Sequence, residues 1–340
     1  PMPQKLTPTR LSDAARRDLR IMYIAKHVFW DGALHPEDGN HAVYHLEMRD
    51  TLAGLGINLK LANNYQALFE QPDADFVWPM LNRGGFFNSE MLLPLLCTRL
   101  GIPYLGASPI LRGASDDKAL TKGETRRMGV PTMDWAVYRC GAPIDPMRAP
   151  EAKRWVVKPN NSSASWGIGD ATSRDGVAEA VARIHAEGHD AIVEPFFAGS
   201  DVEVPVITLN GRPHILPMMI FRQADPDHLR TYAEKRDLVD RSQKYSLDYF
   251  EQPADVVARI TAMTEKLIEI FWPFDFGRFE YRLNEANGEV QFLEVNLSCN
   301  LWSEKVFGRA GVAAGFTQSD LIETILAESL IRQGLAERVG

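Results

Sequence analysis

Cysteine is scarce in this chain: Cys97, Cys140 and Cys299 are the only three among 340 residues, unclustered and odd in number. That excludes a disulfide scaffold and a four-cysteine zinc site, and it suits a reducing compartment, so a cytoplasmic protein is expected. Long apolar runs are missing too. None reaches the ~18 residues of a membrane span, and no basic stretch leads into an apolar one as in a signal peptide. Positive charge is not in excess. With 37 Lys and Arg against 45 Asp and Glu, the net charge of −8 argues against a phosphate-backbone binder, so no nucleic-acid partner is expected. Internal repeats and low-complexity tracts are absent. What remains is 45% hydrophobic and 24% charged, an ordinary globular composition, in a chain too long for one compact core and suited to two or three lobes.

The most informative stretch is Gly277-Arg278-Phe279-Glu280-Tyr281-Arg282-Leu283 followed by Val290-Gln291-Phe292-Leu293-Glu294-Val295-Asn296. Each half reads as a strand, and Asn287-Gly288 between them signals a hairpin. Side chains alternate faces along a strand. A three-residue loop, Ala286 to Gly288, puts Glu280 opposite Glu294 and Arg278 opposite Asn296, whereas a two-residue loop sends these pairs to opposite faces. Facing carboxylates repel by up to about 1 kcal/mol on a bare hairpin, and Glu294 lies among apolar neighbours, so it needs a partner. Two carboxylates and an amide oxygen are ligands Mg²⁺ takes beside phosphates. Pairing of the acids with Arg278 and Arg282 is the other reading of the hairpin by itself.

Upstream, Ile21–Ala25, Ile57–Ala62 and Asp75–Trp78 read as strands, alternating with helices over Ala42–Leu55 and, capped by Asn88/Ser89, Glu90–Leu100. This predicts a parallel α/β lobe behind a charged, mobile-looking segment, residues 5–20. His27, His35, His41 and His45 fit no zinc spacing and are expected at the surface or in loops. Ser115-Asp116-Asp117-Lys118 opens the next helix and Gly129-Val130-Pro131 closes it. Trp155–Pro159 is a strand ending in Lys158, followed by Asn160-Asn161-Ser162-Ser163-Ala164-Ser165-Trp166-Gly167-Ile168-Gly169. Such small residues let backbone N–H groups cradle phosphates, though the Gly-Lys-Ser/Thr ending of a Walker A loop is absent. A helix spans Gly176–Glu187. Ala191–Phe197 is a strand running into a linker, Val202–Leu209 and Pro213–Met219 are strands, and Phe221–Tyr249 is polar and irregular. Pro253–Phe271 is an amphipathic helix, and Thr317-Gln318-Ser319-Asp320 boxes the start of the last, Leu321–Gln333.

Gly-Arg-Phe-Glu followed by Phe-Leu-Glu-Val-Asn resembles the metal-binding end of the ATP-grasp ligases, and from about Gly101 onward the chain is similar to the D-alanine–D-alanine ligase family. The resemblance implies an α/β (α+β lobes) ATP-grasp fold of three lobes, 18–115, 116–196 and 197–340, with ATP between the central and C-terminal lobes. It implies ATP contacts from Lys118, Lys158, Ser163 and Ser165, a hinge at Glu194, Phe196 and Phe197 meeting adenine, and a ribose-binding acid at Asp201, with Glu203 the rival. Pro195 has no N–H, so Phe197 is the expected hinge donor. Lys235, in Tyr-Ala-Glu-Lys, matches the loop lysine for the γ-phosphate. Glu280, Glu294 and Asn296 would hold Mg²⁺, two ions with Mn²⁺ able to substitute, and Arg278 would steady the oxyanion of a tetrahedral intermediate.

The implied reaction is attack of a carboxylate on the γ-phosphate, then displacement of phosphate from the acyl phosphate by an amine. The implied partners are small amino or carboxylic acids and, by analogy, a second copy in a homodimer. The ATP machinery matches, but three substrate-facing segments differ from the family: Lys26–Gly32, Leu81–Glu90 and Leu297–Ser303. Arg83, Ser298 and Trp302 are the candidate substrate contacts there, and Phe29, Trp30, Phe86, Phe87 and Trp302 a candidate aromatic pocket. Specialised metabolism is therefore expected. The alternatives are the cell-wall ligase itself, an ATP-grasp enzyme with a hydroxyl or thiol nucleophile, and a nucleotide-binding protein without catalysis.

Overall fold

The computed structural model describes residues 5–81, 89–161, 166–240 and 244–340. Arg83, Phe86, Phe87, Asn88, Ser163 and Ser165 therefore lie outside the described residues. No described helix is long and apolar enough to cross a membrane.

The first sheet is parallel, ordered β2-β1-β3, from β1 (Arg20–Ala25), β2 (Asn58–Ala62) and β3 (Phe76–Met80). β1 and β3 are almost wholly buried, as apolar strands between helices must be. Around them run α1 (Asp13–Asp18), α2 (Asn40–Gly54) and α3 (Leu92–Leu100). α1 corrects the expectation of a mobile segment at 5–20. Ser12 caps it, and the stretch before it is tied to the C-terminal helix: Thr9 Oγ1 donates to Glu328 at 2.7 Å and the Leu11 N–H to Glu323 at 2.9 Å. Partners some 300 residues away make it ordered, which local composition does not reveal.

The helix expected to start at Lys118 is α5 (Lys118–Arg127), and a helix the sequence reading did not anticipate, α4 (Pro109–Asp116), runs directly into it. Of the supposed caps only Asp117 acts as one, its side chain accepting from the Leu120 N–H at 3.0 Å. Ser115 and Asp116 end the preceding helix.

The second sheet is antiparallel, β4-β7-β5-β6, from β4 (Ala136–Tyr138), β5 (Trp155–Pro159), β6 (Gly169–Ala171) and β7 (Ala191–Pro195), covered by α6 (Arg174–Ala186). The third is the largest: β8 (Ser200–Leu209), β9 (Arg212–Ile215), β10 (Met219–Gln223), β11 (Tyr245–Tyr249), β12 (Phe276–Asn284) and β13 (Glu289–Asn296), ordered β11-β10-β8-β12-β13 with β9 on β8. The strand expected over Pro213–Met219 is thus two, β9 and β10, separated at Leu216–Met218, and the supposedly irregular Phe221–Tyr249 holds α7 (Tyr232–Lys235) and β11. α8 (Ala254–Phe271), α9 (Val306–Ala313) and α10 (Gln318–Arg332) complete the chain, α10 opening on the Thr317/Asp320 capping box.

Asp275, just before β12, ties these layers together. Buried and held at φ 64°, it accepts from the Gly106 N–H and Ser329 Oγ, each at 2.7 Å, and from Arg332. The turn at Gly106, the last helix and the start of the β12–β13 hairpin therefore share one carboxylate.

Candidate active site

The hairpin reaches the expected pairing by a different route. Asn284 pairs with Glu289, so the loop holds four residues, Glu285 to Gly288, and not three. Carried on, that register would place Glu280 opposite Leu293. A β-bulge restores it: Tyr281 pairs with Phe292 but Glu280 with Glu294 and Arg278 with Asn296, Leu293 being the extra residue. Bulges re-aim side chains. Here consecutive Leu293 and Glu294 both line one slot, which plain alternation forbids. The outer edge of β13 is covered at this point by Pro131 and Thr132: the Phe292 N–H donates to the Pro131 C=O and Thr132 Oγ1 to the Phe292 C=O, each at 2.8 Å.

That slot, of about 130 Å³, lies between the second and third sheets and is walled by Val156, Ile168, the segment Glu194–Phe197 and Leu293. Lys118, Lys158, Lys235, Asp201 and Glu280 also line it. Within the hinge the Phe196 N–H is spent on the Arg154 C=O at 2.9 Å, and the Phe197 C=O accepts from Arg282 at 3.0 Å. The two rival acids part here. Asp201 lines the slot in a fork of Arg282 (2.7 Å) and Arg230 (2.9 Å); burial works against its charge, yet the guanidiniums hold its carboxyl well below the usual range. Glu203 instead faces a second, larger cavity, 3.8 Å from Arg278.

Around the slot the cations are buried and matched. Lys118 Nζ is 3.4 Å from Glu294. Lys158 Nζ is 2.7 Å from Glu194; burial opposes its charge, but Glu194 and Glu294 leave its pKa raised. Burial, with Arg230 beside it, brings Lys235 down to about 8. The sequence reading missed Lys122, one turn after Lys118. Its side chain is fully buried, 2.7 Å from the other oxygen of Glu194 and 2.8 Å from Thr132 Oγ1, with its ammonium 5.5 Å from the Trp135 ring centre. Burial pushes the Glu194 carboxyl up, and the two lysines more than offset that, bringing it to about 2. Four-residue spacing from Lys118 was the only signal available for Lys122. Stranding a buried charge costs about 3–5 kcal/mol, but Lys158 still answers Glu194 at 2.7 Å when Lys122 is gone. Lys122→Met is therefore expected to lose less than that yet more than about 1 kcal/mol, the level of an exposed pair, in denaturant unfolding and to weaken nucleotide binding; a loss under about 1 kcal/mol would show that Glu194 does not need it.

The β12–β13 face closes the other end. Arg278 Nη2 and Nε both reach Glu280 Oε1, at 2.6 and 2.9 Å. Burial and the nearby Glu294 and Glu203 push the Glu280 carboxyl upward, and Arg278 offsets only part of this. Burial acts the same way on Glu294, but Lys118, Lys158 and Lys235 bring it below its usual value. Both acids and Asn296 line the larger cavity of about 840 Å³, Asn296 Oδ1 accepting the Ser298 N–H at 2.9 Å. Two facing carboxylates, one of them driven toward protonation, beside an amide oxygen make a set of hard oxygens that a divalent cation would relieve.

The chain belongs to the D-alanine–D-alanine ligase family. The family model described as "D-ala D-ala ligase C-terminus" matches residues 126–327, more than half of the sequence. The chain is 28% identical over 238 residues to the Sinorhizobium fredii protein y4sG, covering 69% of this chain and 68% of that protein. It is 23% identical over 264 residues to the D-alanine–D-alanine ligase of Ralstonia pickettii, 78% of each. Its fold is that of the Bacillus anthracis D-alanine–D-alanine ligase solved with ATP (TM-score 0.71, 18% identity, 94% and 99% coverage). The Enterococcus faecalis VanG D-Ala:D-Ser ligase is similar too (TM-score 0.70, 13% identity, 92% and 99%). As an ATP-grasp ligase the chain falls in a family that works with ATP and Mg²⁺.

The substrate-facing expectations fare unevenly. Ser298 lines the large cavity. Trp302 lines neither cavity; it packs half-buried against the core under α10, with Lys305 over its ring at 5.7 Å. The candidate aromatic pocket is not formed by the described residues either: Phe29 is exposed and Trp30 packs edge-on to His35. The histidines are corrected in part: His27 and His35 lie in the loop between β1 and α2, as expected, but His41 and His45 are on α2. They form a chain of ring contacts, His35–His27 at 4.4 Å, His27–His45 at 5.5 Å and His45–His41 at 4.7 Å, and His27, His41 and His45 line the large cavity. The turn from β1 into α2 brings them together, and no spacing rule describes that. Ligand atoms of His27, His35 and Asp38 lie within 4.8 Å of one another. However, His35 Nδ1 accepts the Glu37 and Asp38 N–H groups, which puts its proton on Nε2, and Asp38 is occupied by Lys26 and His27 at 2.6 and 2.7 Å. The cluster is a hydrogen-bonded wall and not three open lone pairs.

Proposed function

We propose that the chain is an ATP-dependent carboxylate–amine ligase that joins small amino acids through an acyl phosphate, acting in specialised metabolism. The observation that carries the ligase reading is the buried face of Arg278, Glu280, Glu294 and Asn296 set against Lys118, Lys158 and Lys235. In this reading the slot takes adenine, with the Phe197 N–H as hinge donor and Asp201 toward the ribose. Lys118, Lys158 and Lys235 neutralise phosphate oxygens, and the charge so balanced is what phosphoryl transfer asks of a protein. Glu280, Glu294 and Asn296 are the residues that would hold Mg²⁺, which, bound there, supplies Lewis-acid charge to the phosphates. Arg278, fixed by its two bonds to Glu280, points its remaining donors toward the oxyanion of amide formation. The division into lobes at 18–115, 116–196 and 197–340 belongs to the same reading.

Cell-wall D-alanine–D-alanine ligation is supported about equally, by the names of the relatives. The specialised reading rests on Lys26–Gly32 and Leu297–Ser303, whose polar groups differ from the family's, because polar contacts decide which substrate is accepted. The deciding assay is ADP and dipeptide formation with D-alanine as sole substrate. Little turnover is expected. A rate in the ordinary range of about 1–10³ per second would establish the cell-wall reading instead.

A further inference from the structure

Glu203, the rival to Asp201 for the ribose, is turned elsewhere by the fold. On β8 it lies directly opposite Glu280 of β12, and Glu280 lies opposite Glu294 of β13. Residues paired across strands share a face, so three carboxylates stand in a row along the large cavity. Two of them are answered. Glu294 faces the lysines of the slot, with Lys118 at 3.4 Å. Glu280 takes both short bonds of Arg278, at 2.6 and 2.9 Å. Glu203 has nothing comparable. Its nearest cation, Arg278 Nε, stands 3.8 Å away, beyond hydrogen-bond reach, and its carboxylate accepts no hydrogen bond among the described residues. Its side chain is only 12% exposed, and a carboxylate so deep is normally bonded. Neither oxygen is sealed from solvent, and the residue lines the cavity of about 840 Å³. Burying an unanswered charge is costly, so the position fits a ligand that brings a cation.

The surroundings choose between cations. Glu203 and Glu280 share one guanidinium at close range, which leaves this end of the row one negative charge over. A single ammonium balances it, whereas a divalent ion overshoots beside Arg278. The pair read as holding Mg²⁺, Glu280 and Glu294, belongs to the β12–β13 side, and Glu203 stands one strand away from it. Position then says which ammonium. In the ligase reading Arg278 meets the oxygen of the carbonyl under attack. The α-nitrogen of an amino acid is two bonds from that carbon. A substrate whose carbonyl oxygen rests on Arg278 therefore brings its α-nitrogen within reach of a carboxylate 3.8 Å from the same guanidinium. The attacking amine must be uncharged, and a neighbouring carboxylate holds an amine protonated. The seat thus suits the amino group that does not react, the one on the acid that ATP activates.

We propose that Glu203 seats the α-ammonium group of the acyl-donor amino acid, so that the acid activated by ATP must carry a free α-amino group. The inference rests on the ligase reading and names the substrate class of that site.

The test uses hydroxylamine as the nucleophile, so that the activated acid is read by itself. The hydroxylamine nitrogen bonds to the acyl carbon, the bond from that carbon to the phosphate oxygen breaks, and hydroxamate and phosphate are released. Amino acids of both configurations are offered one at a time with Mg-ATP, and the best of them is compared with its 2-hydroxy and N-acetyl counterparts. The amino acid is expected to exceed both at least tenfold in kcat/KM. Glu203→Gln keeps the size of the side chain and is expected to raise KM for the amino acid at least tenfold, the scale of a lost bond to a charged group. KM for the 2-hydroxy acid, KM for ATP and the Mg²⁺ concentration for half-maximal rate should all stay within twofold. Glu203→Asp, which keeps the charge, is expected to recover part of the loss. Counterparts used as well as the amino acid overturn the proposal and leave the ligase reading standing, as does a preference that Glu203→Gln preserves. A Mg²⁺ requirement that rises in Glu203→Gln while KM for the amino acid holds overturns it too, and makes Glu203 a metal ligand. If no acid yields hydroxamate or ADP, with hydroxylamine or in pairs, the ligase reading fails and the proposal with it. The comparison of counterparts is made on the parent protein, so it stays decisive even if a variant does not fold.

Discussion

Glu294→Gln is expected to abolish ATP turnover while the protein stays folded. The substitution keeps shape and volume and removes one negative charge from the face that Glu294 shares with Glu280 and Asn296. It also removes the carboxylate that answers Lys118 at 3.4 Å and brings Lys158 and Lys235 into balance. A cation at a phosphoryl-transfer site is worth several kcal/mol of charge stabilisation, and each 1.36 kcal/mol is a tenfold change in rate. A fall on the order of 10³-fold in kcat follows. The core under the hairpin is carried by Phe279, Tyr281, Phe292 and Val295, which the change leaves alone, so cooperative thermal unfolding should survive. ADP release at saturating Mg-ATP, read beside a melting curve, checks this. A folded Gln variant working within a few-fold of the parent would remove the metal assignment from Glu294.

The second large effect is expected from Arg278→Ala, a loss of about 10²–10³ in amide formation, the usual worth of an oxyanion donor, with nucleotide affinity largely kept. The structure adds a complication that the sequence does not show. Arg278 is bonded twice to Glu280, and that carboxyl is already pushed upward by burial and by Glu294 and Glu203. Without the guanidinium it is pushed further, so the Mg²⁺ concentration for half-maximal rate should rise as well. Arg278→Lys separates the two roles. It keeps a charge near Glu280 but not the planar fork, so the Mg²⁺ requirement should recover more than the rate does. If calorimetry instead showed ATP binding lost and the chemical step intact, Arg278 would be a phosphate or structural residue.

How far the sequence carries the argument depends on the range of the interaction involved. Parallel α/β at the front, the amphipathic α8, the capping box of α10 and the hairpin at Asn287-Gly288 all rest on neighbours within a few positions, and such signals are complete in one dimension. Lys158 at a strand end and Glu280, Glu294 and Asn296 alternating on a hairpin are local signals, whereas Lys118 and Lys235 are singled out only through the family resemblance; the fold places all six along the slot and the larger cavity. The tertiary structure decided the rest. The four-residue loop and the bulge at Leu293 cancel, and the bulge is stabilised by Pro131 and Thr132 from a distant turn. Lys122 looks like any helix lysine until Glu194, 72 positions away, is folded against it. The histidine wall exists because β1 and α2 converge on one cavity, and the segment before α1 is ordered only because Glu323 and Glu328 wait on α10. Burial and charge pairing act through space, so a residue whose role depends on them carries no mark of it in its own stretch of chain.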